Sequence, residues 1–274
     1  LYEYRWHEDI IKNEPSPTRP ALKIPVWQGE SLLGKSITVQ VEQGFGDIIM
    51  FARFLPALKA LGASKVVVLQ EGTLHYLMGQ LECVDVFTNE LEGGVGAESD
   101  YWIGLMSLPY YLSLTHPMVK NLFPVTPKKI VASEGYLHAI PSNIPPKIGV
   151  NWEASKQILY YIKSIDMKVM EELVGSDAYS LNPKTDGVFN SLPDDGWKTD
   201  WNKTASHMKA CKGIVTVDTG TAHLAGALGI KTIVLLPKEE FVCWRWKNGR
   251  WYDSVIALRP HEYDQIPELL RRMG

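Results

Sequence analysis

The sequence predicts an α/β protein made of two Rossmann-like halves, and three observations carry that prediction. The first is the β-branched run Gly213-Ile214-Val215-Thr216-Val217, followed by the turn Asp218-Thr219-Gly220 and the alanine- and leucine-rich stretch Thr221–Leu228. A second apolar run, Lys231–Pro237, closes a strand–turn–helix–strand unit, the building block of a parallel sheet. The second observation is the same alternation near the start, where the strand Ser36–Val41 leads through Glu42-Gln43-Gly44-Phe45-Gly46-Asp47 into a helix. The third is the density of prolines between Phe123 and Lys147 (Pro124, Pro127, Pro141, Pro145, Pro146), which marks a linker. The expected division is therefore 1–143 and 144–274.

Residues 1 to about 35 carry Pro15, Pro17, Pro20 and Pro25 without a clear period, and are expected to form an irregular arm on the first half. Phe51, Phe54, Leu55 and Leu58 fall at i, i+3, i+4 and i+7, a helical spacing that Gly62 ends and Pro56 should kink. A strand at Lys65–Gln70, a short helix near Thr73–Gln80 and strands at Val84–Thr88 and Tyr101–Leu105 complete the first half. The second half opens with a strand at Lys147–Trp152, then a helix over Asp166–Val174 and a strand at Ala178–Leu181. A loop over 182–199 and a helix near Lys203–Ala210 lead into the opening unit, whose helix Thr221 can cap and Gly229 can stop. Ile266, Leu269 and Leu270 give the tail a final helix.

Composition narrows the function. The 274 residues are 45% hydrophobic and 22% charged, the profile of an ordinary globular protein. A net charge of −3 and the lack of a basic run argue against a nucleic-acid partner. No apolar stretch approaches the ~20 residues of a membrane span, and the start, Leu1 to Glu8, is not signal-like. Cys83, Cys211 and Cys243 are widely spaced without a CxxC pair, as expected of free thiols in the cytoplasm rather than a metal site. The chain starts at Leu1 without a methionine, and whether residues are missing upstream is not readable from it.

The chemistry lies in the two turns, because ligands of open α/β sheets bind beyond the carboxyl ends of the strands. The helix after Val217 presents unpaired N–H groups and a partial positive charge, which suit a phosphate; Thr219, Gly220 and Thr221 add hydroxyls and close backbone approach. Ala222 and His223 sit in its first turn, and His223 can donate to a phosphate oxygen; the competing reading is a well-capped structural helix with a buried histidine. Asp218 is expected to orient the loop, since an anion there would repel a diphosphate. Asn151-Trp152 and Leu181-Asn182 stand at strand ends where base or ribose contacts fall. Gly44-Phe45-Gly46 invites a dinucleotide reading, but the third glycine of that fingerprint is Ile49 here.

Glu42–Asp47 followed by Phe51-Ala52-Arg53-Phe54-Leu55-Pro56 resembles the N-terminal half of bacterial glycosyltransferases that often follow tetratricopeptide repeats, relatives of the lipopolysaccharide heptosyltransferases of glycosyltransferase family 9. The likeness continues through Trp102-Ile103, Leu105–Pro109, Val217-Asp218-Thr219, Ala222–Leu228 and Trp244-Arg245-Trp246, and Tyr2–Trp6 is similar to the segment that joins the repeats to the catalytic part. It implies a GT-B fold, two Rossmann-like domains facing a central cleft, the first on the acceptor side and the second holding a nucleotide-sugar. It implies sugar transfer to a hydroxyl or amide acceptor, with UDP as the expected nucleotide, inversion as the expected outcome, and no metal or other cofactor. By the same resemblance Asp47 is the candidate general base, Gly44, Phe45 and Gly46 approach the donor, and Lys163 stands where the family has a phosphate-binding Arg. The acceptor, whether glycan, protein or small molecule, is not readable. Where the family has a stretch rich in Gly, His, Asp and Arg, this chain has Glu153–Tyr161. That departure keeps two alternatives open: a nucleotide-sugar-binding module with weakened catalysis, and a nucleotide-sugar epimerase on the same fold.

Overall fold

The computed structural model describes residues 24–70, 74–88, 98–115, 125–126, 129–130, 135–154, 160–183, 187–247 and 251–274. The expected arm up to residue 23, Pro124 and Pro127 lie outside them. The chain divides into two compact units, Leu1–Val125 and Thr126–Gly274.

In the first unit β1 (Ser36–Gln40) is followed by α1 (Phe45–Ala52), α2 (Pro56–Ala60), β2 (Lys65–Leu69), α3 (His75–Met78), β3 (Val86–Thr88), β4 (Tyr101–Gly104) and α4 (Leu108–Thr115). The strands form a parallel sheet in the order β3-β2-β1-β4. Ile37 and Val39 of β1 and Val66–Val68 of β2 are fully buried, as expected for strands covered on both faces. Pro56 does more than kink its helix. It has no N–H to donate, so it opens a new helix at the first-turn position it tolerates, and the chain between tightens into i→i−3 bonds from Phe54 to Phe51 and Leu55 to Ala52, each 3.0 Å.

A two-stranded sheet joins β5 (Val125–Thr126) and β6 (Lys129–Ile130). The second unit then runs β7 (Ile148–Asn151), α5 (Tyr160–Lys163), α6 (Met167–Val174), β8 (Ala178–Ser180), α7 (Trp201–Ala210), β9 (Gly213–Val217), α8 (Gly220–Ala227), β10 (Thr232–Leu235), α9 (Trp244–Lys247), β11 (Val255–Leu258) and α10 (Ile266–Met273). Its five-stranded sheet is parallel throughout, in the order β11-β10-β9-β7-β8. Val150, Val215, Val217, Ile233, Leu235 and Met170 centre its core. Asp166 caps α6 by accepting the Lys168 amide at 2.8 Å, and Gly229 ends the α8 turn with φ +69°. The edge strand β11, paired with β10, has no counterpart in the sequence expectations.

The division falls ahead of the expected 143/144 boundary. The amides of Tyr136 and Leu137 both bond the Ala227 carbonyl, at 2.7 and 2.9 Å, which fastens this stretch to the end of α8. Ser142 belongs to a hydrogen-bonded chain in which its Oγ lies 2.9 Å from His207 Nδ1, while His207 Nε2 lies 3.1 Å from Asp195 Oδ2. The described part of the proline-rich stretch from residue 135 onward thus packs with the second unit, where its polar groups find their partners.

Candidate functional site

In an open parallel sheet, chain order reverses direction at one pair of neighbouring strands, and the crevice beyond their carboxyl ends is open to a ligand. The second unit reverses between β7 and β9, with β8 on one side and β10 and β11 on the other. Asn151 ends β7 and pairs in register with Thr216 of β9, so the Asp218–Thr221 turn leaves the sheet beside it. The buried Asn151 carries the link: its Nδ2 lies 3.2 Å from Thr219 Oγ1 and 3.4 Å from Thr221 Oγ1, and also donates to the Glu153 carbonyl at 3.2 Å. Thr219 itself is the extended N-cap of α8, with no side-chain cap bond, and Thr221 lies inside the helix rather than capping it. The Thr219 hydroxyl is turned instead to the Val217 carbonyl (3.4 Å) and to Asn151. Both hydroxyls and the opening N–H groups of α8 therefore stand at the switch point, where an anion can collect several donors at once.

Asp218 is buried against this turn and makes a 2.8 Å ion pair with Lys163; their side chains are 2% and 16% exposed. Burial works most strongly, to raise the carboxyl's pKa, but Lys163, His223 and a hydrogen bond from Trp246 together outweigh it and hold the group below the usual carboxylate value. The pair removes the repulsion that a lone buried anion would exert on a phosphate and fixes the lysine beside the helix entrance. Lys163 reaches this place from the short α5 after β7, so two strands supply the pair.

His223 is placed differently from a phosphate-binding cation. Its ring is buried, stacked on Trp246 at a centroid distance of 5.5 Å and an angle of 17°, with Nδ1 3.2 Å from the Tyr252 hydroxyl. Burial pushes its pKa down to about 3, against a partial opposing pull from Asp218, so the ring is neutral at physiological pH. Ala222 is buried, and its amide returns to the Thr219 carbonyl at 3.0 Å. Trp152 and Leu181 are core residues: Trp152 packs on Phe189 with centroids 5.3 Å apart, and the Leu181 amide bonds Val150. The neighbour Asn182, not Leu181, carries the polar group, and its Nδ2 donates to Glu153 Oε2 at 3.2 Å.

The first unit has its own switch point, between β1 and β4. Beyond β1, the buried Glu42 accepts the Met106 amide at 3.2 Å and joins the two strand exits. Gln43 then takes φ +65°, the left-handed conformation usually left to glycine, while Gly44 has an ordinary φ of −80° and open space where a Cβ would stand. Neither backbone conformation nor crowding within the chain requires glycine at position 44, and the unusual backbone of the Glu42–Asp47 motif is at Gln43. Phe45 is exposed, Gly46 is half-exposed, and Asp47 is half-buried in the first turn of α1 with its amide on the Gly44 carbonyl at 2.9 Å.

Among the described residues no group of three or more His, Cys, Asp or Glu side chains could hold a metal ion, and no helix is long and apolar enough to cross a membrane. Trp246 and Tyr252, which enclose His223, had no role in the sequence reading beyond the Trp244–Trp246 motif. The Tyr252 contact spans 29 residues and leaves no local signal.

These two parallel-sheet units, with a helix N-terminus at the second unit's switch point, define the GT-B type of glycosyltransferase fold, and solved structures bear this out. A glycosyltransferase of family 9 from Veillonella parvula superposes with a TM-score of 0.58 at 14% identity, covering 90% of this chain and 92% of that one. The Escherichia coli ADP-heptose lipopolysaccharide heptosyltransferase II gives 0.57 at 13% identity over 87% and 98% of the two chains, and E. coli heptosyltransferase WaaC with ADP gives 0.56 at 11% over 87% and 100%. The chain matches no protein-family model and no curated protein sequence.

Proposed function

We propose that the protein is a glycosyltransferase that moves a sugar from a nucleotide-sugar to a hydroxyl or amide acceptor. The observation that carries the reading is the Asn151–Thr219–Thr221 network at the mouth of α8, beside the Lys163–Asp218 pair. Transfer breaks the bond between the sugar's anomeric carbon and the diphosphate oxygen, so negative charge grows on the leaving nucleoside diphosphate. The opening N–H groups of α8 and the Lys163 ammonium beside them stabilise that charge, and the Thr219 hydroxyl joins them by turning from the Val217 carbonyl. The acceptor oxygen or nitrogen forms the new bond and yields its proton to Asp47, the general base of this reading. The reading is of a metal-independent departure, in which these donors and the Lys163 ammonium take the place of a metal; one structural neighbour, TibC of enterotoxigenic E. coli, is described as an iron-containing glycosyltransferase.

The nucleotide is proposed as UDP on the sequence resemblance, while the WaaC neighbour is described with ADP. A cytoplasmic location and an inverting outcome belong to the same proposal. The pairing of Lys163 with Asp218 favours one rival, a binding module with weak catalysis, because an ammonium already neutralised adds less to the leaving group. A panel of UDP-, ADP-, GDP- and dTDP-sugars, with release of nucleoside diphosphate as the readout, tests the reading. Release from one donor, reduced about 10- to 100-fold in Lys163→Met, is the expected outcome. Saturable binding without release, with any acceptor supplied, would favour the binding module; absence of both would refute the site.

A further inference from the structure

In the first unit one buried side chain spans the point where the chain order reverses. Glu42 lies just beyond β1 and is 4% exposed, and its Oε2 accepts the Met106 amide at 3.2 Å. Met106 belongs to the short 3₁₀ turn Leu105–Ser107 that follows β4, whose N-cap, Gly104, brings no side-chain cap. An amide at the start of such a turn has no acceptor within it, and a carboxylate is a strong one to supply. On the opposite side of β1 the Val41 amide bonds the Leu69 carbonyl at 3.1 Å, so the strand's exit is anchored to both neighbours. Directly after this anchor Gln43 takes φ +65°, alone among the described non-glycine residues in having a positive φ. That conformation is disfavoured for an L residue and free for glycine. The Gln43 side chain is exposed, so core packing around it does not impose the turn. The chain then enters α1, where the Gly44 carbonyl accepts the amides of Asp47 and Ile48 at 2.9 and 3.1 Å and the buried residues Ile48–Ala52 seat the helix.

From this arrangement we infer that Glu42 is a positioning residue: by tying the exit of β1 to the turn after β4 it holds Gln43 left-handed, and that turn sets where Asp47 stands. The inference rests on the reading of Asp47 as general base and adds to it the group that aims the base. A residue persists in a disfavoured conformation only where its surroundings over-determine it. Here the surroundings are two fixed ends, the Glu42 tie and the seated helix α1, with Gln43 and Gly44 between them. Were the tie absent, Gln43 would relax to an ordinary negative φ and α1 would be entered from another direction. A general base must lie within hydrogen-bond reach of the proton it takes, and a displacement of about 1 Å can cost about 100-fold in rate. Glu42 thus acts through Asp47, with its own carboxylate buried on the Met106 amide.

The test follows nucleoside diphosphate release, with water as the acceptor, from whichever UDP-, ADP-, GDP- or dTDP-sugar the wild type cleaves. Glu42→Ala is expected to lower kcat about 10- to 100-fold while the KM for the donor stays within about twofold of wild type. Glu42→Gln keeps an oxygen for the Met106 amide and should retain the rate within about fivefold. Adding Gln43→Gly to Glu42→Ala removes the bias against the left-handed turn and should recover at least about fivefold of the lost rate. A structural cap on the β4 turn would not be rescued from position 43. Gln43→Val, at an exposed site, covers the case in which Glu42→Ala folds poorly. A β-branched residue resists a positive φ even with the tie intact, so its kcat should fall about 10-fold or more at unchanged KM. An unchanged rate in Glu42→Ala or Gln43→Val, no rescue by Gln43→Gly, or a loss in Glu42→Gln as large as in Glu42→Ala would overturn the positioning role and leave the transferase reading standing. An active wild type with an equally active Asp47→Asn would overturn the general base and this inference with it, and a wild type that cleaves none of the donors would overturn the transferase reading as well.

Discussion

His223 stands in the first turn of the helix proposed to meet a diphosphate, a position where a cation would be useful, yet burial holds its pKa at about 3. It is enclosed by the Trp246 ring and the Tyr252 hydroxyl, which give the imidazole packing and one hydrogen bond but no counter-charge in direct contact. In the unfolded chain a histidine titrates near 6.5. Its folded value is depressed, so between these pH values the unfolded state binds the extra proton. The contribution is complete above about pH 6.5 and is lost as the pH falls toward 3, at up to about 1.4 kcal/mol per pH unit. Urea unfolding at pH 7.5, 6 and 5 should show this slope in the wild type and a slope shallower by about one proton in His223→Phe. Equal slopes would mean that the ring is protonated in the native protein.

At the scale of elements, α8 sits against Tyr252 through Gly226. A Cβ built on Gly226 would stand 2.4 Å from the Tyr252 ring, closer than any side chain tolerates. Alanine gains about 1 kcal/mol over glycine in helix propensity, whereas overpacking a filled core costs about 1–3 kcal/mol. The ring cannot swing aside without giving up its bond to His223, so the clash should win. Gly226→Ala is expected to lower the unfolding free energy by up to about 2 kcal/mol, measured by denaturant titration. In a Tyr252→Leu background the same substitution should become neutral or stabilising, and a clash with anything other than the ring would leave its cost unchanged. The sequence made much of this unit legible, because the β-branched strand, the helix of small residues and the Gly229 stop are signals carried by neighbouring residues. Tyr252 was not legible, since which side chain fills the space at Gly226 is decided by tertiary packing. The same limit explains β11, a four-residue edge strand with no flanking motif, and the pairing of Lys163 with Asp218, which come from α5 and from the turn after β9, far apart in the sequence. Pro56 lies between these cases: its interruption of the helix is local chemistry, but whether the chain bends or restarts depends on how the preceding turn can close.

At the scale of the whole molecule, two parallel sheets of similar logic carry unlike turns. The second unit holds the residues proposed to contact the diphosphate, Asn151, Lys163, Thr219, Gly220 and Thr221, whereas Gly44, Phe45, Gly46 and Asp47 belong to the first. Asp47 occupies the first turn of α1, where an acid is also stabilised by the helix dipole, by about 0.3–1 kcal/mol. A purely structural acid and a general base therefore predict different outcomes for Asp47→Asn, an exchange that keeps the shape and removes the charge. A structural acid would lose a few tenths of a kcal/mol of stability and leave turnover nearly intact. A general base would lose about 10²- to 10⁴-fold in transfer rate, while the Kd for the nucleoside diphosphate, fixed by the other unit, stays within about twofold of wild type. The second result is expected, from transfer rates and nucleotide titrations on the same preparation. A parallel loss of nucleotide affinity would mean that Asp47 contributes to holding the donor rather than to accepting the proton.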